Sequence, residues 1–114
     1  MVGYGDLAAR VAVELQDGQQ APIAAFGDAD ELVAAGVADG AFIASRTEDH
    51  YRDARTLIDA GMRVLLEKPL THSLATAREF AAHLDADDFR STALMQACMR
   101  RFDGPLSCAK EHID

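Results

Sequence analysis

The sequence predicts an α/β fold, a partial Rossmann-type doubly wound parallel sheet, on three observations. Two short apolar runs, Gly40 to Ser45 (GAFIAS) and Arg63 to Glu67 (RVLLE), alternate with segments of helical period, and polar residues collect directly after each run. Short apolar runs of this kind are expected of strands covered on both faces, as parallel sheets are when helices make their crossovers. Strands alternating with helices of about ten to twelve residues then imply parallel pairing with right-handed crossovers.

Taken in order, Asp6 to Leu15 carries Leu7, Val11 and Leu15 with Ala8 and Ala12 beside them, an i, i+4 rhythm that Asp17-Gly18 ends. Pro22 to Phe26 reads as a short strand before a turn at Gly27-Asp28, and Asp30 to Ala35 as a brief helix closed by Gly36. After the strand Gly40 to Ser45, Thr47 is placed to cap a helix with Glu48 and Asp49 in its first turn, where the helix dipole favours acids. Its inner stripe is Tyr51, Ala54, Leu57 and Ile58, and Gly61 stops it. The strand Arg63 to Glu67 leads to a helix capped by Ser73, with Leu74, Ala77, Phe80, Ala81 and Leu84 inward. Thr92 to Cys98 is expected as a further strand. Gly104-Pro105 opens a last helix, Leu106 to Ile113, with proline at a position of the first turn that tolerates it.

Bulk properties narrow the function classes. A chain of 114 residues, 49% hydrophobic and 26% charged, is one domain's worth of ordinary globular protein. The formal net charge of −8, from 19 acidic against 11 basic side chains, repels a phosphate backbone and argues against a nucleic-acid partner. No apolar run approaches the ~20 residues of a membrane span, and Met1 to Arg10 lacks the pattern of a secretory signal. A cytoplasmic location is the expectation. Cys98 and Cys108 have neither metal-ligand nor thioredoxin-type spacing and read as buried or incidental; no metal is assigned.

In an open parallel sheet the ligand sits beyond the carboxyl ends of the strands. The residues there are Ser45-Arg46-Thr47, Glu67-Lys68-Pro69 and Met99-Arg100-Arg101-Phe102-Asp103, all expected on one edge. A partly desolvated Lys68 would hydrogen-bond a substrate oxygen and stabilise developing alkoxide charge; its plainer reading is a surface lysine paired with Glu67. Arg100 and Arg101 would clamp a polyhydroxylated or anionic substrate through their planar donor forks, unless Arg101 merely pairs with Asp103. His50 falls in the first turn of its helix, beside the Ser45-Arg46-Thr47 loop; on its own it reads as a helix-surface histidine. At the N-terminus two alignments stay open. Gly3-Tyr4-Gly5-Asp6-Leu7-Ala8 fits the dinucleotide pattern G-x-G-x-x-G/A, or else Met1 to Asp6 is the end of the second strand, with Asp6 as partner of the adenosine ribose and no phosphate loop.

Glu67-Lys68-Pro69-Leu70 after a strand, preceded by Ile43-Ala44-Ser45-Arg46-Thr47-Glu48-Asp49-His50, resembles the glucose-fructose oxidoreductase and inositol dehydrogenase (Gfo/Idh/MocA) family. Met95 to Asp103 (MQACMRRFD) is similar to the strand and loop of its inositol 2-dehydrogenase members. The resemblance, over roughly Ala25 to Ile113, implies a two-domain enzyme that moves a hydride between NAD or NADP and the secondary hydroxyl of an inositol or sugar. Residues 1–103 would then be an incomplete cofactor domain, and 104–114 the start of a helix leading to an absent C-terminal α+β domain. It further implies that Lys68 contacts both the substrate hydroxyl and the nicotinamide ribose, that Pro69 is a cis-proline, that Ser45, Arg46, Thr47, His50 and Glu67 flank the cofactor, and that Arg100 faces the substrate. Arg46 stands where many relatives have proline. The catalytic base would lie in the second domain, so the chain alone is expected to be inactive. The alternative is a non-catalytic nucleotide-binding or assembly module. A homo-oligomer is left open, because a sheet lacking its first strand would expose an edge for pairing.

Overall fold

The structure, a computed structural model, describes residues 24–99, 103–111 and 113. The expected helix Asp6 to Leu15, the glycines Gly3 and Gly5, Asp6, the first residues of the Pro22 to Phe26 strand, and Arg100, Arg101 and Phe102 lie outside the described residues.

The described elements are α1 (Ala29–Ala35), β1 (Gly40–Ile43), α2 (His50–Asp59), β2 (Arg63–Leu66), α3 (Leu74–Leu84), α4 (Asp88–Ala93), β3 (Leu94–Gln96) and α5 (Gly104–Glu111). The strands form a parallel sheet in the order β1-β2-β3, with Ala41 opposite Val64 and Ile43 opposite Leu66, and Leu66 in turn opposite Gln96. This is the partial Rossmann arrangement expected, with helical crossovers joining neighbouring parallel strands.

Local chemistry sets the helix boundaries. Asp28 caps α1 by accepting from the Glu31 N–H at 2.9 Å, and Gly36 closes it at φ 60°, a left-handed conformation that glycine adopts without a Cβ penalty. Ser73 caps α3 by accepting from the Thr76 N–H. Gly61, at φ 84°, turns the chain from α2 toward β2.

Four expectations are corrected. The expected strand Thr92 to Cys98 shrinks to Leu94–Gln96, because the Asp87 side chain accepts from the Arg90 N–H and caps an additional helix that carries Thr92 and Ala93. Thr47 does not cap α2: its carbonyl accepts from the His50 N–H at 3.4 Å, and Asp49 holds the cap position without a side-chain bond to the helix backbone. The strands are not equally covered on both faces. Ala41, Ile43, Val64 and Leu66 are buried under the helices, whereas Leu65 and Met95, paired in register on the opposite face, are 39% and 50% exposed. Leu74 and Ala81, expected inward on α3, are exposed, and Phe80 supplies that helix's buried contact.

A single core cluster joins the sheet to its helices: Leu32 from α1, Ala54, Leu57 and Ile58 from α2, Phe80 from α3, and the inward residues of β1 and β2. The rings of Phe80 and Tyr51 meet at a centroid distance of 5.2 Å. Burial of each large side chain in this cluster contributes roughly 1.5–3 kcal/mol. The consequence for the site is that α2 is fixed against both strands, so the loop that enters α2 and the loop that leaves β2 start from rigid supports.

Candidate functional site

Both loops leave the sheet at the carboxyl ends of adjacent strands. The ladder runs one step past each strand: the Glu67 N–H donates to Ile43 O at 2.9 Å and the Ala97 N–H to Leu66 O at 2.8 Å. The loop after β1 (44–49) and the loop after β2 (67–73) are thereby held side by side. A cavity of about 290 Å³ opens between them, lined by Ala44, Ser45, Thr47, His50, Glu67, Lys68 and Met99. Ser45, Thr47, His50, Glu67 and Lys68, all singled out from the sequence, therefore share one site.

Arg46 does not line that cavity. It is exposed, its Nε lies 3.4 Å from an Asp49 carboxylate oxygen, and it borders a second cavity of about 260 Å³ together with Gly27, Asp28, Ser45, Asp49, Arg52 and Asp53. Pro69 is exposed, and the Lys68–Pro69 peptide bond is cis, as the resemblance implied. Arg100 lies outside the described residues.

Of the plainer reading of Lys68 the surface position holds and the pairing does not: the residue is exposed, not partly desolvated, and its ammonium is not paired with Glu67. The Glu67 carboxylate accepts from the backbone N–H of Lys68 at 2.6 Å, and among the described residues the Lys68 ammonium forms no ion pair. Glu67 thus shapes the turn, while the Lys68 side chain keeps its three donors for another partner.

His50 is not the surface residue that its isolated position suggested. It is 2% exposed, with Nδ1 2.8 Å from Pro69 O and Nε2 3.1 Å from Ser45 O. One ring therefore spans the carbonyls of both loops, donating from whichever nitrogen carries hydrogen. The helix register accounts for this: His50 lies on the same stripe of α2 as Ala54, Leu57 and Ile58, which face the core.

Asp53 was missed at the level of sequence. It is 1% exposed, accepts from the Ser45 hydroxyl at 2.7 Å, and accepts from Arg52 Nε at 3.1 Å and Nη2 at 2.8 Å. The hydrogen bond from Arg52 to Asp53, and then the carboxylate's charge, raise the guanidinium's pKa above its ordinary value. The signal was available: a carboxylate three residues after His50 and adjacent to Ala54 falls on the inner stripe of α2, where a charged group needs a partner.

Donors and hydroxyls gathered at the carboxyl ends of parallel strands suit the polar parts of a dinucleotide cofactor. Lys68 supplies a cation, Ser45 and Thr47 supply hydroxyls, and Met99 gives an apolar wall. Among the described residues no cluster of three or more His, Cys, Asp or Glu could hold a metal ion. Cys98 and Cys108 are exposed and are not joined in a disulfide, and no helix of the described residues is long and apolar enough to cross a membrane.

Comparison with known proteins agrees with the geometry. No curated protein sequence matches the chain significantly. Among solved structures, myo-inositol 2-dehydrogenase from Lactobacillus plantarum superimposes with a TM-score of 0.82 at 21% identity, covering 99% of this chain and 39% of that one. Scyllo-inositol dehydrogenase from Lactobacillus casei, solved with NAD(H) and scyllo-inositol, gives 0.71 at 23% identity over 99% of this chain and 39% of that one. An oxidoreductase from Sinorhizobium meliloti gives 0.64 at 20% identity over 84% of this chain and 35% of that one. At these identities the likeness establishes the fold, and the chain spans about two fifths of the length of the first two structures. Residues 7–92 match the family GFO_IDH_MocA, described as an oxidoreductase family with an NAD-binding Rossmann fold. The chain belongs to the Gfo/Idh/MocA oxidoreductase family, through its NAD-binding Rossmann domain.

Proposed function

We propose that the chain is the cofactor-domain part of an NAD(P)-dependent dehydrogenase that oxidises a secondary hydroxyl of an inositol or sugar. The observation that carries this reading is the Lys68 ammonium, without an ion pair among the described residues, at a cavity it shares with Ser45, Thr47 and His50. The polyol class draws support from the inositol dehydrogenases among the structural neighbours.

When bound, the nicotinamide ring would accept the hydride. In this reading Lys68 donates hydrogen bonds to the substrate hydroxyl oxygen and to the cofactor's ribose, and its charge stabilises the alkoxide that develops as the C–H bond breaks. Ser45 and Thr47 would hold the cofactor from the β1 side. His50 is wedged between the carbonyls of Ser45 and Pro69, and a neutral ring donates to one of them, so that its bulk and that one bond would set the spacing between the two loops before any ligand arrives. Glu67 holds the backbone of Lys68, and the ammonium, without an ion pair among the described residues, would meet the substrate. Arg46, beside the second cavity, would contact the cofactor's far end, and Arg100 would face the substrate.

A proton acceptor is required as well. We place it in a second domain, with residues 1–103 as the cofactor domain and 104–114 as the lead into that second domain. The test is turnover in a chain extended through such a domain. NAD and NADP are offered with a panel of inositols and aldoses, and Lys68→Ala is expected to lower kcat by at least about 100-fold, the range for loss of a charge-stabilising group. Full turnover in that variant would refute the role given to Lys68. Cofactor binding with no turnover on any polyol would favour a non-catalytic nucleotide-binding module.

A further inference from the structure

We propose that Asp53 is a positioning residue that holds the Ser45 hydroxyl as a hydrogen-bond acceptor at the cavity shared with Lys68. The proposal rests on the cofactor reading above for the identity of the ligand, but the geometry that motivates it belongs to this chain alone.

A serine hydroxyl has one hydrogen to donate and two lone pairs to accept with. In this structure the hydrogen is committed: Ser45 Oγ donates to Asp53 Oδ2 at 2.7 Å. Asp53 is itself held, because its other oxygen accepts twice from Arg52, at 3.1 and 2.8 Å, and the residue is almost wholly buried on α2. The chain of contacts runs from Arg52 through Asp53 to Ser45, across eight residues and from the helix into the loop after β1. Ser45 borders both cavities, whereas Asp53 and Arg52 border only the second. What Ser45 can offer at the cavity with Lys68 is therefore its lone pairs.

Lys68 is the complement. Its ammonium is donor-only. A cavity wall with an acceptor fixed on one loop and a donor on the other matches a group that both donates and accepts, which a ribose or polyol hydroxyl does. A group that only accepts, such as a phosphate or carboxylate oxygen, would meet the Ser45 lone pairs unfavourably. At the Ser45 oxygen a hydroxyl is thus preferred to a group with no hydrogen to donate, and Asp53 sets this preference by holding the Ser45 side chain in one rotamer with its hydrogen committed to the carboxylate.

Two measurements decide it. In the ligand-free protein, side-chain scalar couplings at Ser45 should report one χ1 rotamer in the wild type, retained in Asp53→Asn, whose amide oxygen still accepts, and averaged over rotamers in Asp53→Ala. Averaging already present in the wild type, or a single rotamer kept in Asp53→Ala, overturns the proposal whether or not a cofactor binds. In calorimetric titrations with NAD, Ser45→Ala and Asp53→Ala should each weaken binding about fivefold, the fold-change of one hydrogen bond. The double variant should be no weaker than Ser45→Ala alone, because Asp53 acts through Ser45. Losses that multiply in the double variant overturn the positioning role. If the wild type binds no NAD, the cofactor reading falls, and the rotamer measurement still decides whether Asp53 orients Ser45.

Discussion

The loop after β1 and the loop after β2 meet at the same cavity but are held in different ways. Between residues 45 and 53 the chain is tied to itself at several points. The Asp49 N–H donates to Arg46 O, the His50 N–H to Thr47 O, the Ser45 hydroxyl to Asp53, and Arg52 pairs with both Asp49 and Asp53. Between residues 67 and 73 the described bonds are the Glu67 N–H to Ile43 O, the Glu67 carboxylate on the Lys68 N–H, the Thr71 hydroxyl to Ser73 O, and the contact of His50 with Pro69 O. The first loop is tied repeatedly to itself and to α2; the second has fewer ties and leans on the histidine that opens α2. The difference separates two kinds of site residue. Those that build the site, His50 and Asp53, are buried against protein partners, while those that would meet a ligand, Lys68 above all, keep unused hydrogen-bonding capacity at the cavity.

That contrast is broken most severely at His50. His50→Ala removes a buried ring and its contacts with both loops, and is expected to lower unfolding stability by about 2–4 kcal/mol in urea titration. A loss under about 0.5 kcal/mol would mean that the loops are held apart from the ring. The anchor on the far side of the second loop is Ser73, which caps α3. Ser73→Ala should cost about 1 kcal/mol by the same measurement. An unchanged midpoint would place the start of α3 under the control of packing alone.

At the exposed end the effects should be small. Arg46→Ala removes a surface ion pair with Asp49 and should change stability by less than about 0.5 kcal/mol, with its salt dependence correspondingly slight. A larger loss would move Arg46 from the ligand-facing group to the frame. Lys68→Ala should leave the unfolding midpoint unaltered within the same limit, since the side chain forms no ion pair among the described residues.

The parts of this molecule legible in the sequence are those governed by local chemistry. The Ser73 cap, the left-handed glycine at 36 and the glycine that turns the chain at 61 follow from residue types whose preferences act within a few bonds. The loop Glu67-Lys68-Pro69 was legible as a motif, and the structure adds that one oxygen of its glutamate accepts from the backbone N–H of the lysine. What was misjudged depends on tertiary placement. Thr92 and Ala93 have strand-compatible side chains, but Asp87 starts a helix that overrides them. Leu65 and Met95 looked like core in a buried strand, yet share the less covered face of the sheet. His50 is polar and so read as helix surface, and Asp53 was passed over, although their spacing with Ala54, Leu57 and Ile58 puts them on the inner face. A polar residue on an apolar stripe identifies a partner to be found, and here the partners are the two loops of the site.

The central claim is that Lys68 meets a nicotinamide cofactor at this cavity without contributing to the fold. The most direct test is calorimetric titration of NAD and NADP into the wild-type chain and into Lys68→Ala, with the unfolding midpoint of each recorded alongside. The account predicts measurable binding by the wild type, and at least about tenfold weaker binding by Lys68→Ala at unchanged stability, as expected for loss of a charged hydrogen-bond donor. Equal affinity in the two proteins, or no heat from either cofactor at millimolar concentration, would contradict it.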